Sequence, residues 1–171
     1  NGPRYRGLLK DIFDKKYLAE DMSIYLHRPS CTDKTVAPNG SDTFYALSPV
    51  PNLKTGNPVN WEEMGKIYKE KLRKVLSNVI PGFSETIETE FVLNPEDFLS
   101  RYLSPYGAGF SLEPRIFQSA WFRPHNVSEE VENLFLVGAG THPGAGIPSV
   151  VTSAEVMAKL IPDASSIRTK L

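Results

Sequence analysis

The amino-acid sequence predicts an α+β fold, and three observations lead to that prediction. An apolar stripe with helical spacing extends from Met64 to Val79. Two β-rich runs lie at residues 23–26 and 43–47. A wholly apolar run, a glycine-rich turn and a second helical pattern follow one another after residue 133. With 40% hydrophobic and 23% charged residues among 171, the chain has the composition of a folded globular protein.

The first part of the chain is predicted to form two helices and two neighbouring strands. Apolar residues recur at helical spacing over residues 4–14, which predicts a short amphipathic helix. The runs Ser23–Leu26 and Thr43–Leu47 are joined by a polar stretch with prolines, so we expect neighbouring strands with a long connection. Asn60 is placed to cap the long second helix, Glu63 stands at the capping-box position, and a Pro-Gly pair ends the helix.

The middle of the chain combines an alternating run, a helix and an aromatic-rich stretch. Thr86–Leu93 alternates apolar and acidic residues, which predicts a strand with one wet side. Asn94 supplies a cap ahead of a proline at the first helical position, so a short helix is predicted to reach Leu103. Prolines and glycines interrupt residues 104–128, and we expect irregular structure there with a strand near Gln118–Phe122.

The last part of the chain has the order strand, loop, helix. The apolar run Leu134–Val137 is predicted as a strand, Gly138–Gly146 as a turn, and Pro148–Ile161 as a helix. This order directs backbone N–H groups and a helix dipole at a ligand. The glycines fit a dinucleotide fingerprint badly, since its third glycine falls on Pro143 or Ser149, and no P-loop lysine follows. By spacing alone, a tight turn that only permits close packing remains an equal alternative.

Composition excludes several classes of function. The 19 basic and 20 acidic residues leave a net charge of −1, which gives no electrostatic case for nucleic acid. The single cysteine, Cys31, excludes an internal disulfide and a cysteine-based zinc site, and we predict no metal. Residues 133–154 carry no formal charge, but their glycines and prolines argue against a membrane span. The chain begins Asn1-Gly2-Pro3 without a leader pattern, so we expect a processed product or an excised piece.

Two stretches in the second half of the chain carry a family resemblance. One is Asn133-Leu-Phe-Leu-Val-Gly-Ala-Gly-Thr-His-Pro-Gly-Ala-Gly-Ile-Pro148 with Ser149-Val-Val-Thr-Ser-Ala154 after it. The other is Gln118-Ser-Ala-Trp-Phe-Arg-Pro-His-Asn126, with Gly109-Phe-Ser-Leu-Glu-Pro114 ahead of it. Both resemble the bacterial and fungal type of phytoene desaturase, the FAD-dependent carotenoid desaturases among the amine-oxidase-like flavoproteins. Earlier, Tyr25-Leu-His-Arg-Pro29 and Ala46-Leu-Ser-Pro-Val-Pro51 are similar to strands of that family's substrate domain.

The resemblance implies that the chain is the C-terminal portion of a longer enzyme. Residues 1–128 are then part of a substrate-binding domain with a mixed or antiparallel sheet, and residues 129–171 are the C-terminal segment of an FAD-binding domain. The terminal strand, loop and helix would complete a Rossmann-like domain. FAD is the implied cofactor, and a lipid-soluble polyene and the N-terminal part of the same enzyme are the implied partners. The implied location is the cytoplasm, peripheral on a membrane.

The same resemblance assigns candidate site residues. The residues expected to bind the cofactor are Gly138, Ala139, Gly140, Thr141, His142, Gly146, Ile147, Pro148, Ser149 and Val150. The N–H groups of Ile147, Ser149 and Val150 are expected to stabilise the reduced flavin. The candidates for substrate contact are Phe110, Trp121, Phe122, Arg123 and His125. Each has a structural alternative as a core aromatic, an ion-pair partner or a hydrogen-bonded loop histidine, and the same holds for His142.

The function that the resemblance implies is desaturation of a C40 carotenoid precursor, such as phytoene, by hydride transfer to flavin. We assign no catalytic acid or base, because hydride acceptance is the chemistry of the cofactor. Two alternatives stay open: a related flavin-dependent carotenoid isomerase, oxidase or retinol saturase, and a non-catalytic substrate-side domain. The isolated chain is expected to be inactive, because no ADP-binding fingerprint occurs in it.

Overall fold

The computed structural model describes residues 2–54, 58–113 and 115–161. The chain divides into two compact units, Asn1–Tyr102 and Leu103–Leu171, and each is considered by itself. The described residues form four α-helices, one two-stranded antiparallel sheet and several short 3-10 turns. The predicted α+β class is therefore confirmed. No helix in these ranges is long and apolar enough to cross a membrane.

The first unit contains three helices and both strands. They are α1 (Tyr5–Phe13), β1 (Tyr25–His27), β2 (Tyr45–Leu47), α2 (Trp61–Ser77) and α3 (Pro95–Tyr102). The strands pair antiparallel, with Tyr25 opposite Leu47. At the start of α2, the side-chain oxygen of Asn60 accepts a hydrogen bond from the N–H of Glu63 at 3.4 Å. These elements confirm the early helix, the neighbouring strands, the capped long helix and the short helix after Asn94.

The core of the first unit lies against α1 and includes a buried charge. Its buried apolar residues are Leu8, Ile12 and Ala19. Asp11, on the same helix, is also buried, and its carboxylate forms ion pairs of 2.9 Å with Lys15 and with Arg4. The hydrogen bond from Lys15 is the largest cause that lowers the pKa of Asp11 to about 2. The two cations compensate the charge that α1 brings into the core.

The prediction of a strand over Thr86–Leu93 is wrong. The chain there leaves a 3-10 turn at Ser84–Thr86 and continues without a β-ladder. Glu90 is held instead by side chains of α2, at 2.9 Å from the Lys69 ammonium and in a second ion pair with Arg73. A strand needs a neighbouring backbone as its hydrogen-bond partner, and a helix presents only side chains.

The second unit is mostly irregular and ends in a helix. Residues 147–160 form α4 (Ile147–Leu160), which confirms the predicted terminal helix. The strand predicted near Gln118–Phe122 is wrong, because 3-10 turns occupy Ile116–Gln118 and Ala120–Phe122. Aromatic residues favour strands only where a pleated surface is available to them, and here the aromatic rings lie largely in solvent.

The strand predicted over Leu134–Val137 does not form either. A single antiparallel bridge joins Phe135 to Val127, and no longer ladder includes this segment in the described residues. Both end residues of the apolar run are exposed. A wholly apolar run is typical of a strand covered on both faces, and the described residues provide no sheet to cover it.

Candidate functional site

The glycine-rich loop at residues 138–146 is anchored to α4 by one buried hydroxyl. The Oγ of Ser153 accepts a hydrogen bond from the N–H of Gly138 at 2.9 Å and donates to the carbonyl of Val150 at 2.6 Å. Ser153 is fully buried, although it lies on a helix whose other described residues are half-buried or exposed. Its single side chain therefore fixes where the loop begins relative to the helix that follows.

A second anchor is the Arg-Pro-His-Asn segment at residues 123–126. The buried side-chain amide of Asn126 donates to the carbonyls of Leu136 at 3.0 Å and His142 at 3.1 Å. Its backbone carbonyl accepts from the N–H of Leu136 at 2.9 Å, and the carbonyl of Pro124 accepts from the N–H of His142 at 3.1 Å. The segment thus holds the two ends of residues 136–142 and fixes the conformation between them.

Arg123 forms the third anchor. The residue is only 6% exposed. Its guanidinium donates to the carbonyl of Gln118 at 3.3 Å and to the carbonyl of Ala139. Sequence analysis made Arg123 a candidate for substrate contact; the structure places its guanidinium under the loop, with little surface left for another molecule.

Two glycines of the loop are required for different reasons. A Cβ on Gly140 would lie 2.9 Å from the Oγ of Ser111, so a neighbouring side chain explains this glycine. Gly146 has a φ of +103°, which disfavours other residues, and nothing lies within 4 Å of the position that its Cβ would take. Gly140 therefore serves packing inside the unit, whereas Gly146 opens onto free space at the start of α4.

The N-terminus of α4 has no side-chain cap. Gly146 occupies the cap position, and Pro148, which has no N–H, lies in the first turn. The N–H of Val150 already donates to the carbonyl of Gly146 at 2.9 Å, so this N–H is engaged within the helix, and the expected contact of Val150 with a cofactor stays a prediction. The N–H groups of Ile147 and Ser149 remain at the positive end of the helix dipole.

The candidate histidines form a short stack beside the loop. The rings of His125 and His142 are 5.2 Å apart at 18°, and Trp121 packs edge-on against His125 at 5.1 Å. The Nδ1 of His125 lies 2.7 Å from a carboxylate oxygen of Glu129. Both histidine Nε2 atoms are buried, without a hydrogen-bond partner in the described part of the chain. The structure thus brings His125 and His142 together, and it gives His125 a carboxylate partner.

The remaining candidate residues are aromatic and lie in solvent. Phe110, Trp121 and Phe122 are all exposed, and Phe122 packs edge-on against Phe117 at 5.4 Å between ring centroids. They are therefore not core residues of this unit. Glu113, in the same stretch of the chain, forms an ion pair of 2.6 Å with Arg115.

Two residues that shape the site were not predicted. Asn126 and Ser153 act on backbone atoms 10 to 16 residues away, which no periodic pattern reveals. The one signal for Ser153 is a polar residue on the apolar face of the predicted helix, three residues after Val150 and four before Met157.

Comparison with known proteins gives close relatives but no match to a family model. The chain is 65% identical over 98% of its length to a neurosporene-forming phytoene desaturase of Cereibacter sphaeroides, of which it covers 32%. It is 45% identical over 94% of its length to a lycopene-forming phytoene desaturase of Pantoea ananas, of which it covers 32%. A 4,4'-diapophytoene desaturase of Staphylococcus aureus strain Newman is 38% identical over 89% of the chain. The chain spans about a third of the length of these relatives.

Proposed function

This chain corresponds to about a third of a phytoene desaturase, and from that premise we propose that its parent protein is an FAD-dependent oxidoreductase acting on a C40 carotenoid precursor such as phytoene. The observation that carries the proposal is the identity of 65% over 98% of the chain. The names of the relatives differ in product but share desaturation. Desaturation is therefore the reaction that we assign, with the number of double bonds left to experiment.

The glycine-rich loop has features that suit FAD. The N–H groups of Ile147 and Ser149, which have no partner among the described residues, lie at a helix N-terminus without a side-chain cap, where negative charge on a ligand is stabilised. The space beside Gly146 admits a close approach of the ligand. FAD supplies the two-electron acceptor that the reaction needs, since each new double bond removes one hydride and one proton from adjacent carbons. The chain's own contribution is to hold the cofactor and to orient it.

We propose the following residues as the contribution of this chain to the cofactor site: Gly138, Ala139, Gly140, Thr141, His142, Gly146, Ile147, Pro148, Ser149 and Val150. Residues 129–171 would then belong to the FAD-binding domain, as the C-terminal part of the enzyme. The apolar run Leu134–Val137, exposed at both of its ends, supports this assignment, because it is suited to a sheet whose other strands come from the rest of the enzyme. That sheet would be of the Rossmann type.

Residues 1–128 would belong to the substrate side. Exposed aromatic rings at Phe110, Trp121 and Phe122 offer the apolar contact that a long polyene requires, with His125 beside them. Because such a substrate dissolves in lipid, we expect the enzyme to work in peripheral contact with a membrane. We also expect the 171-residue chain alone to be colourless and inactive, since it carries the exposed apolar run without the rest of the sheet.

The test uses the full-length protein that contains this chain, reconstituted with FAD and with phytoene in liposomes. We expect the flavin absorption to bleach without oxygen when phytoene is added, and chromatography to reveal products with additional conjugated double bonds. An isomerase would change the retention of the substrate without bleaching, and a saturase would shorten the conjugated system. Absence of both bleaching and new products would refute the proposal.

A further inference from the structure

Arg123 is a buried cation without a carboxylate partner. Its guanidinium donates to the carbonyls of Gln118 and Ala139, and its Nε is buried with no hydrogen-bond partner in the described residues. No carboxylate lies within ion-pair distance of it in residues 2–54, 58–113 and 115–161. Unpaired burial of a charge is costly, so buried arginines usually have an anionic partner. With 6% of the residue exposed, a carboxylate from elsewhere has little of it left to contact.

The hydrogen bond to Ala139 determines where the next donor points. In a planar trans peptide the C=O and the N–H point in opposite directions. Because Arg123 holds the carbonyl of Ala139, the N–H of Gly140 points away from the guanidinium. The carbonyl of Gly138 accepts from Thr141 Oγ1 at 3.1 Å, which directs the N–H of Ala139 away from that hydroxyl.

These two N–H groups are available to a ligand. Neither Ala139 nor Gly140 donates a backbone hydrogen bond anywhere in the described part of the chain. Both belong to the loop whose conformation the Arg-Pro-His-Asn segment fixes. Two adjacent free donors backed by an unpaired positive charge are an arrangement that favours an anionic oxygen.

We propose that Arg123 is a positioning residue for the cofactor, which turns the N–H of Gly140 outward and places a positive charge behind it for an anionic oxygen of FAD. The inference rests on the proposed function, and it replaces substrate contact as the role of Arg123. The oxygen belongs either to a phosphate of FAD or to the pyrimidine end of the reduced flavin. Both are oxyanions, and they differ in whether the charge depends on the redox state.

The experiment compares variants of the full-length protein that contains this chain. Arg123→Met removes both the hydrogen bonds and the charge, whereas Arg123→Lys keeps the charge and Arg123→Gln keeps a donor without charge. Arg115→Met is the matched control, because Arg115 lies in the same unit with an exposed side chain paired to Glu113. The dissociation constant of FAD is measured on the apoprotein, and the flavin midpoint potential is measured on the loaded protein.

If the partner is a phosphate, we expect Arg123→Met to weaken the binding of oxidised FAD about tenfold or more and Arg115→Met to change it less than about twofold. Arg123→Lys should then bind FAD more tightly than Arg123→Gln. If the partner is the pyrimidine end, the same order should appear in the midpoint potential. If the partner is a phosphate, the substitution leaves the midpoint potential unchanged, because it weakens the binding of the oxidised and the reduced cofactor equally. If the partner is the pyrimidine end, the substitution lowers the midpoint potential by about 30 mV for each tenfold loss of affinity that is specific to the reduced flavin.

The proposal is overturned if Arg123→Met binds FAD as tightly as Arg115→Met with the same potential. It is also overturned if the lysine and glutamine variants agree in both FAD affinity and midpoint potential, since the charge would then have no effect. Should Arg123→Met fail to fold, the lysine and glutamine variants decide the question alone. A wild-type protein that binds no flavin at all would refute the proposed function itself, before any variant is compared.

Discussion

Replacement of Asn126 by leucine should loosen the glycine-rich loop without unfolding the rest of the protein. The side-chain amide donates to the carbonyls of Leu136 at 3.0 Å and His142 at 3.1 Å, and a leucine of similar size donates to neither. Each such bond contributes about 1 kcal/mol net, so the loop should lose about 2 kcal/mol of local stability. The longer contact to Thr141, at 3.4 Å, is too weak to change this sum.

The assay is hydrogen exchange of backbone amides in the full-length protein that contains this chain. The N–H groups of Leu136 and His142 are protected by carbonyls within the Arg-Pro-His-Asn segment, so their exchange reports opening of the loop. A loss of about 2 kcal/mol corresponds to about 30-fold faster exchange. Gln118→Leu is the control, since it exchanges an exposed amide side chain for leucine in the same unit.

The reasoning fails if exchange at Leu136 and His142 accelerates no more in Asn126→Leu than in the control. Amides of α2, in the other unit, should keep their exchange rates in both variants. Acceleration there as well would mean that the substitution destabilises the whole protein, and the assignment of Asn126 to the loop would then be wrong.

Two further predictions concern stability in the same full-length protein. Gly140→Ala should lower the melting temperature by the equivalent of about 1 kcal/mol, because the new Cβ would lie 2.9 Å from the Oγ of the exposed Ser111 and displace that side chain. Ser111→Ala in the same chain should recover most of this loss, and equal losses with and without Ser111→Ala would refute the contact. Gly65→Ala, with open space around the Cβ, is the control. For Asp11, whose pKa of about 2 is below the ordinary 3.8, the stabilisation is present above pH 3.8 and is lost as the pH falls through 2. The difference in melting temperature between wild type and Asp11→Asn should therefore shrink over that range, while the exposed Asp14→Asn should show no such gap, and a difference that stays constant down to pH 2 would contradict the ion pairs.

Local signals predicted the helices and failed for most of the strands. The cap of α2 at Asn60 and its apolar stripe lie within one helix, so the sequence contains everything needed to place it. The runs Thr86–Leu93 and Leu134–Val137 have strand patterns, but a strand also requires a second backbone along its length. The described residues bring none to the first run and only a single bridge, at Val127, to the second. Only the runs that became β1 and β2 have one another as partners.

The candidate site was predicted in its position but not in its construction. The glycine-rich loop and the start of α4 lie where the motif indicates. The side chains that fix the loop do so through backbone N–H and carbonyl groups, which do not depend on the identity of the residue. The sequence therefore contains no complementary side chain that would reveal these contacts. For that reason Asn126 and Ser153 were missed, and the position of Arg123 under Ala139 could not be predicted.

The contact between Gly140 and Ser111 has a consequence for the evolution of this family. With 2.9 Å between the hydroxyl and the place of a Cβ, the two positions share one small volume. A lineage that acquires alanine at position 140 must also turn the hydroxyl at position 111 to another rotamer or lose it. Residue identities at positions 140 and 111 should therefore vary together in an alignment of many relatives.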